Sequence, residues 1–137
     1  MKTKLFLQFF FVLALALVVG CSKDDDNNKV PTSGSIDAAI GTYKGTIDII
    51  GGTKKFDEIL VVTKVSNTRV KVKAQNTALG LPEKEVDVLN NMDVTIQALP
   101  TETQGTFIYT TKNKSLNFFS KQTAEGQVQY SFEGTKQ

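Results

Sequence analysis

From Gly41 to the end of the chain, apolar and polar residues trade places at every second position. Tyr43, Ile47 and Ile49 alternate with Lys44, Thr46 and Asp48, and Val70, Val72 and Ala74 alternate with Lys71 and Lys73. Val94, Ile96 and Ala98 alternate with Asp93, Thr95 and Gln97, and Val128, Tyr130 and Phe132 with Gln127, Gln129, Ser131 and Glu133. A strand turns successive side chains to opposite faces, so this period predicts antiparallel strands with one face in a core and one in water. Eight strands are predicted, near Thr42–Ile50, Phe56–Val65, Arg69–Ala74, Lys84–Leu89, Met92–Ala98, Gly105–Thr111, Ser115–Ser120 and Gln127–Gly134. Ile59-Leu60-Val61-Val62 breaks the alternation and predicts either a bulge or a covered outer face. Turn residues separate the strands at Gly51-Gly52, Ser66-Asn67, Asn90-Asn91, Lys112-Asn113 and Glu125-Gly126. Every link is too short for a crossover helix, so sequential strands are antiparallel neighbours.

Register follows from pairing like with like. A two-residue turn at Asn67-Thr68 sets Val65 opposite Val70 and Val61 opposite Ala74. A second, at Lys112-Asn113, sets Tyr109 opposite Leu116 and Phe107 opposite Phe118. Two residues at Asn90-Asn91 would set Val88 against Asp93. A three-residue loop, Leu89 to Asn91, is therefore predicted, with Val88 opposite Met92 and Val86 opposite Val94. A meander of this length hides its edges in a barrel or a sandwich. The barrel is favoured: an all-β, eight-stranded, antiparallel up-and-down barrel over residues 36–137, with an interior that side chains fill or that holds one small ligand.

Upstream the grammar changes. Lys2 and Lys4 precede an apolar run from Leu5 to Val19, broken only by Gln8, and small Gly20 leads to Cys21. Charge, apolar core and small residue are the order of a secretory leader. The run, at about 15 residues, falls short of the roughly 20 that a spanning helix needs. Leu17-Val18-Val19-Gly20-Cys21 resembles the lipobox of bacterial lipoproteins. The resemblance implies that residues 1–20 are removed and that the Cys21 thiol is acylated, so the chain is held to a membrane by lipid. Ser22-Lys23-Asp24-Asp25-Asp26 then resembles the acidic signal that exports some lipoproteins to the cell surface of the outer membrane; a related aspartate signal retains others at the inner membrane. Residues 21–35 read as a polar tether, with a reach of roughly 20 Å. Ser35 is placed to cap a short helical turn through Ile36–Ile40 that Gly41 would end.

Charge and composition remove several function classes. Lys2 and Lys4 belong to the leader, which leaves 14 basic residues against 14 acidic ones. A neutral balance lacks the electrostatic footprint of a nucleic-acid-binding protein. It equally disfavours docking on anionic lipid through a basic patch. Histidine is absent and Cys21 is the one cysteine. The usual general base, metal ligand and best nucleophile are therefore missing, and no disulfide can form within the chain.

Gly41-Thr42-Tyr43, after a helical turn and opening the first strand, is similar to the G-x-W start of lipocalins and other calycins, with tyrosine in the tryptophan position. Tyr130-Ser131-Phe132-Glu133-Gly134-Thr135-Lys136 resembles the last strand of small calycin-like lipoproteins. The resemblance implies a lipocalin-like barrel whose interior or loops bind a ligand.

Candidate sites are weighed on that frame. Tyr43, Phe107, Tyr109, Phe118 and Tyr130 are predicted to point inward, as a pocket lining or, on the plainer reading, as a filled core. Leu79 and Leu81, in the apolar link Thr77–Pro82, form a binding lip or fold back as a plug. Glu83 and Glu85, and Asp57-Glu58, are carboxylate pairs, read as solvated charges with Lys84, Lys54 and Lys55 beside them. No metal site, cofactor or catalytic residue is assigned. The reading favoured is a membrane-anchored binding or interaction module for a small apolar ligand or a partner protein. A protease-inhibitor-like barrel is the alternative, and a carboxylate-based hydrolase the remote one.

Overall fold

The computed structural model describes residues 34–137. The leader, Cys21 and the run Ser22, Lys23, Asp24, Asp25 and Asp26 lie outside the described residues. Eight strands succeed one another: β1 (Gly41–Ile49), β2 (Lys54–Ser66), β3 (Arg69–Ala74), β4 (Lys84–Asn91), β5 (Thr95–Ala98), β6 (Gly105–Thr110), β7 (Ser115–Ser120) and β8 (Tyr130–Lys136). Each pairs antiparallel with the next and β8 pairs with β1, so the sheet is a closed up-and-down barrel with no free edge. The short polar turns dictate this order, because they leave a strand no partner but its neighbour. Closure brings Gly45 of β1 opposite Gly134 of β8. A Cβ on Gly45 would overlap the Glu133 carbonyl, so the seam needs glycine there.

The predicted register holds at β6–β7, where Phe107 faces Phe118 and Tyr109 faces Leu116. It fails at β2–β3. The turn is indeed Asn67-Thr68, flanked by Ser66 opposite Arg69, but a bulge at Val65 shifts everything beyond it. Leu60 lies opposite Ala74 and Val61 opposite Lys73, so Leu60 and Val62 take the inner face while Val65 stands 47% exposed. Apolar residues on both faces of Ile59–Val62 made the two parities nearly equal in sequence. At β4–β5 the loop has the predicted three residues but is Met92-Asp93-Val94, with Asn91 opposite Thr95. Met92 and Asp93 adopt left-handed φ angles of 53° and 58°. The Asn90 side chain brackets this turn, accepting from the Asp93 N–H at 2.8 Å and donating to its carboxylate at 2.7 Å. Met92 and Val94, expected on the inner face, are instead 88% and 61% exposed. β8 begins at Tyr130, three residues later than predicted, and Val128 lies in the loop before it.

The two ends of the barrel differ. At the end where the described chain begins, a 3-10 turn (Asp37–Ala39) forms the floor, with Ile36 and Ala39 fully buried. Ser35 Oγ accepts from the Asp37 N–H at 3.1 Å, and Gly41 opens β1 rather than closing the turn. Tyr43 donates to the Ala39 carbonyl at 2.6 Å, Asn90 Nδ2 to Ser35 O at 2.7 Å and Lys136 Nζ to Ala38 O at 2.9 Å. The opposite end carries the β1–β2, β3–β4, β5–β6 and β7–β8 links. The core between them holds Tyr43, Phe107, Tyr109, Phe118, Tyr130 and Phe132 with branched aliphatics.

Candidate functional site

Along β4 the inner face reads Lys84, Val86, Val88, Asn90, and all four are buried. Lys84 is 2% exposed and stands at the loop end, where β4 begins. Its Nζ donates to Gln127 Oε1 at 2.8 Å and to Thr123 Oγ1 at 3.0 Å, both in the β7–β8 loop. Gln127 Oε1 also accepts from the N–H and the hydroxyl of Thr123, at 3.1 and 3.0 Å. One amide oxygen thus gathers three donors and ties the loop to β4. Both acceptors on Lys84 are neutral, and among the described residues no carboxylate lies within ion-pairing distance of it. Burial pushes its ammonium below the usual lysine range.

The five aromatics expected to face inward do so, and they pack against one another. Tyr43 and Tyr109 meet edge to face with ring centroids 6.0 Å apart, and Phe118 and Tyr130 at 5.6 Å. The Tyr43 hydroxyl binds Ala39 O, and the Tyr130 hydroxyl contacts Pro82 O at 3.4 Å. Burial raises the pKa of both phenols, which keeps them neutral donors. All five rings thus belong to the buried core, and two of the three tyrosine hydroxyls bond to backbone.

Leu79 and Leu81 are half-buried and pack on the core from the β3–β4 link. That link contains a second 3-10 turn (Thr77–Leu79), capped by Asn76, whose Oδ1 accepts from the Ala78 N–H at 3.2 Å. Gly80 follows with φ 61°, a conformation that suits glycine. Leu81 lies three residues before Lys84, so this apolar link and a buried cation share one end of the barrel.

No family model, curated protein or solved structure matches the chain.

The carboxylates are spoken for. Glu83 pairs with Lys73 at 2.6 Å and Glu85 with Lys71 at 3.2 Å, across β3 and β4. The Lys73 ammonium holds Glu83 below its usual range. Asp57 pairs with Lys44 at 3.1 Å, and Glu58 accepts from Asn76. Among the described residues no three metal-ligating side chains come together.

Lys84 is the functional candidate that the sequence reading missed. Its neighbours Glu83 and Glu85 make it look like one more solvated charge, yet it faces inward. The signal was present: Lys84 shares parity with Val86 and Val88, whereas Glu83, Glu85 and Asp87 share the other. A second feature lies on the outer wall, a groove of 620 Å³ between Lys44, Gly45, Phe56, Asp57, Thr135 and Lys136. Phe56 stands 70% exposed over it.

Proposed function

We propose that this protein is a membrane-anchored, non-catalytic binding module, like the calycin-like lipoproteins that its pattern resembles. Cys21 carries the lipid, Ser22–Asp26 direct the chain to the cell surface, and the barrel presents a small apolar ligand site at its loop end. The observation that carries this reading is the grouping of Lys84, Thr123 and Gln127 with half-buried Leu79 and Leu81, at the end away from where the described chain begins. Small-molecule sites combine apolar walls with a few placed polar groups, and this end of the barrel supplies both kinds of residue. The filled middle of the barrel puts such a ligand at the mouth, not deep inside.

Native mass spectrometry of the protein taken from its host membrane tests the proposal. The expected result is a small molecule that leaves at higher collision energy, on a polypeptide beginning at acylated Cys21. Bare polypeptide in every charge state overturns the carrier reading. The exposed Phe56 groove favours a partner protein as the second reading, and pull-down from intact cells followed by Phe56→Ser would reveal it. A protease panel separates the inhibitor-like alternative, which requires inhibition of at least one enzyme.

A further inference from the structure

We infer that Lys84 is the anchoring point for the carboxylate of an amphiphile with a short apolar tail, and that the β7–β8 loop, residues 121–129, yields to admit it. The inference deepens the binding reading above and rests on it.

The first argument is chemical. An ammonium has three donors and no acceptor, and taking it from water without an opposing charge is unfavourable. Soluble proteins rarely bury lysine unless it is paired. Lys84 is only 2% exposed and is offered only a hydroxyl and an amide oxygen. A carboxylate in their place would make charge-assisted bonds, roughly twice as strong as neutral ones.

The second argument is geometric. Thr123 Oγ1 and Gln127 Oε1 sit 3.0 and 2.8 Å from Nζ and 3.0 Å from each other. Two neutral oxygens from one loop thus occupy donors of the cation that a carboxylate would otherwise take. The loop acts as an internal substitute for the ligand.

The third argument is that between its tied ends, Lys121 on Gln104 O and Glu102 O and Gln129 O on the Ile50 N–H, the loop's hydrogen bonds to the barrel run through Lys84 alone among the described residues. Its residues after β7 form no strand until Tyr130, and Gly126 takes φ 74° in the turn closed by Gln127 N–H to Ala124 O. Release of Gln127 from Lys84 would expose the ammonium beside Leu81 and Pro82. That apolar lip then receives the tail.

The experiment uses the anchored full chain in nanodiscs of zwitterionic lipid, labelled for NMR at backbone amides, glutamine side-chain amides and lysine side chains. Octanoate is titrated in, with octanol as the uncharged control and empty nanodiscs correcting for partition. The expected result is a saturable shift of the Lys84, Thr123 and Gln127 signals, with octanoate at least tenfold tighter than octanol. Lys84→Met should lose that tenfold preference while its remaining amide spectrum is kept. Gln127→Leu removes the internal competitor and should tighten octanoate several-fold, which keeps the test decisive if Lys84→Met does not fold. Octanoate and octanol binding equally, or Lys84→Met retaining the preference, overturns the inference and leaves an apolar-ligand module standing. Neither probe shifting loop-end signals overturns the inference and removes the apolar-ligand reading with it.

Discussion

Removing one hydroxyl from Tyr43 should loosen the floor of the barrel far more than removing one from Tyr109. Both rings are buried and they touch each other, so Tyr→Phe at either site leaves ring packing almost unchanged. The hydroxyls differ. That of Tyr43 donates to Ala39 O at 2.6 Å, whereas that of Tyr109 has no partner among the described residues and is open to water, since no buried side-chain oxygen there is left unpaired. Tyr43→Phe leaves the Ala39 carbonyl buried without this donor, which costs about 1–3 kcal/mol. For a domain of about 100 residues, a loss of about 2 kcal/mol lowers Tm by about 8–16 °C. Tyr109→Phe should stay within about 0.5 kcal/mol of the parent. Urea unfolding at pH 7 and calorimetry measure both, with each Tyr→Phe variant compared at matched slope. Amide exchange adds a local readout, because the Ile40 N–H, which bonds to Asp37 O, should exchange faster in Tyr43→Phe alone. Equal losses in the two variants, or a Tyr43→Phe loss below about 0.5 kcal/mol, would refute the claim that this bond pins the turn.

Three further outcomes are expected. The folded-state pKa of Lys84 lies below its ordinary 10.5, so between the two values the unfolded chain binds more protons and stability rises with pH. Urea midpoints should climb towards about pH 10 in the parent relative to Lys84→Met; above about pH 10 the buried tyrosines, ionised only when unfolded, reverse the trend. Gly45→Ala forces a Cβ against the Glu133 carbonyl and should cost at least about 1–3 kcal/mol, with oligomers in size-exclusion chromatography as the β1–β8 seam opens. Cys21→Ser should abolish acylation and move the protein from the membrane pellet to the soluble fraction, and unchanged membrane retention would remove the anchor from the proposal.

Much of the fold was legible because strand period and turn chemistry are local properties. The eight strands and their antiparallel order follow from alternation between short polar turns, and β3 and β7 keep the predicted bounds. The errors cluster where local signals tie. Val61 and Val62 are equally apolar, so only the bulge at Val65 decides which of them faces the core. Asn90 and Asn91 look like a turn, yet Asn90 is the bracket of a turn three residues on and reaches Ser35, distant in sequence. The candidate site was less legible still. The inward aromatics and the apolar Leu79–Leu81 link were visible as residues, but Lys84 was masked by its charged neighbours.

The sequence by itself determined an all-β meander that favours closure, and the absence of histidine and of any disulfide within the chain. These are counts and periods, and they hold whatever the chain packs against. Only the tertiary structure decided the parity of β2, the filling of the middle by aromatics and the burial of Lys84. Each of those depends on which distant strand or loop occupies the space beside a residue. An ammonium at the end of a strand is solvated until a loop some 40 residues away folds over it.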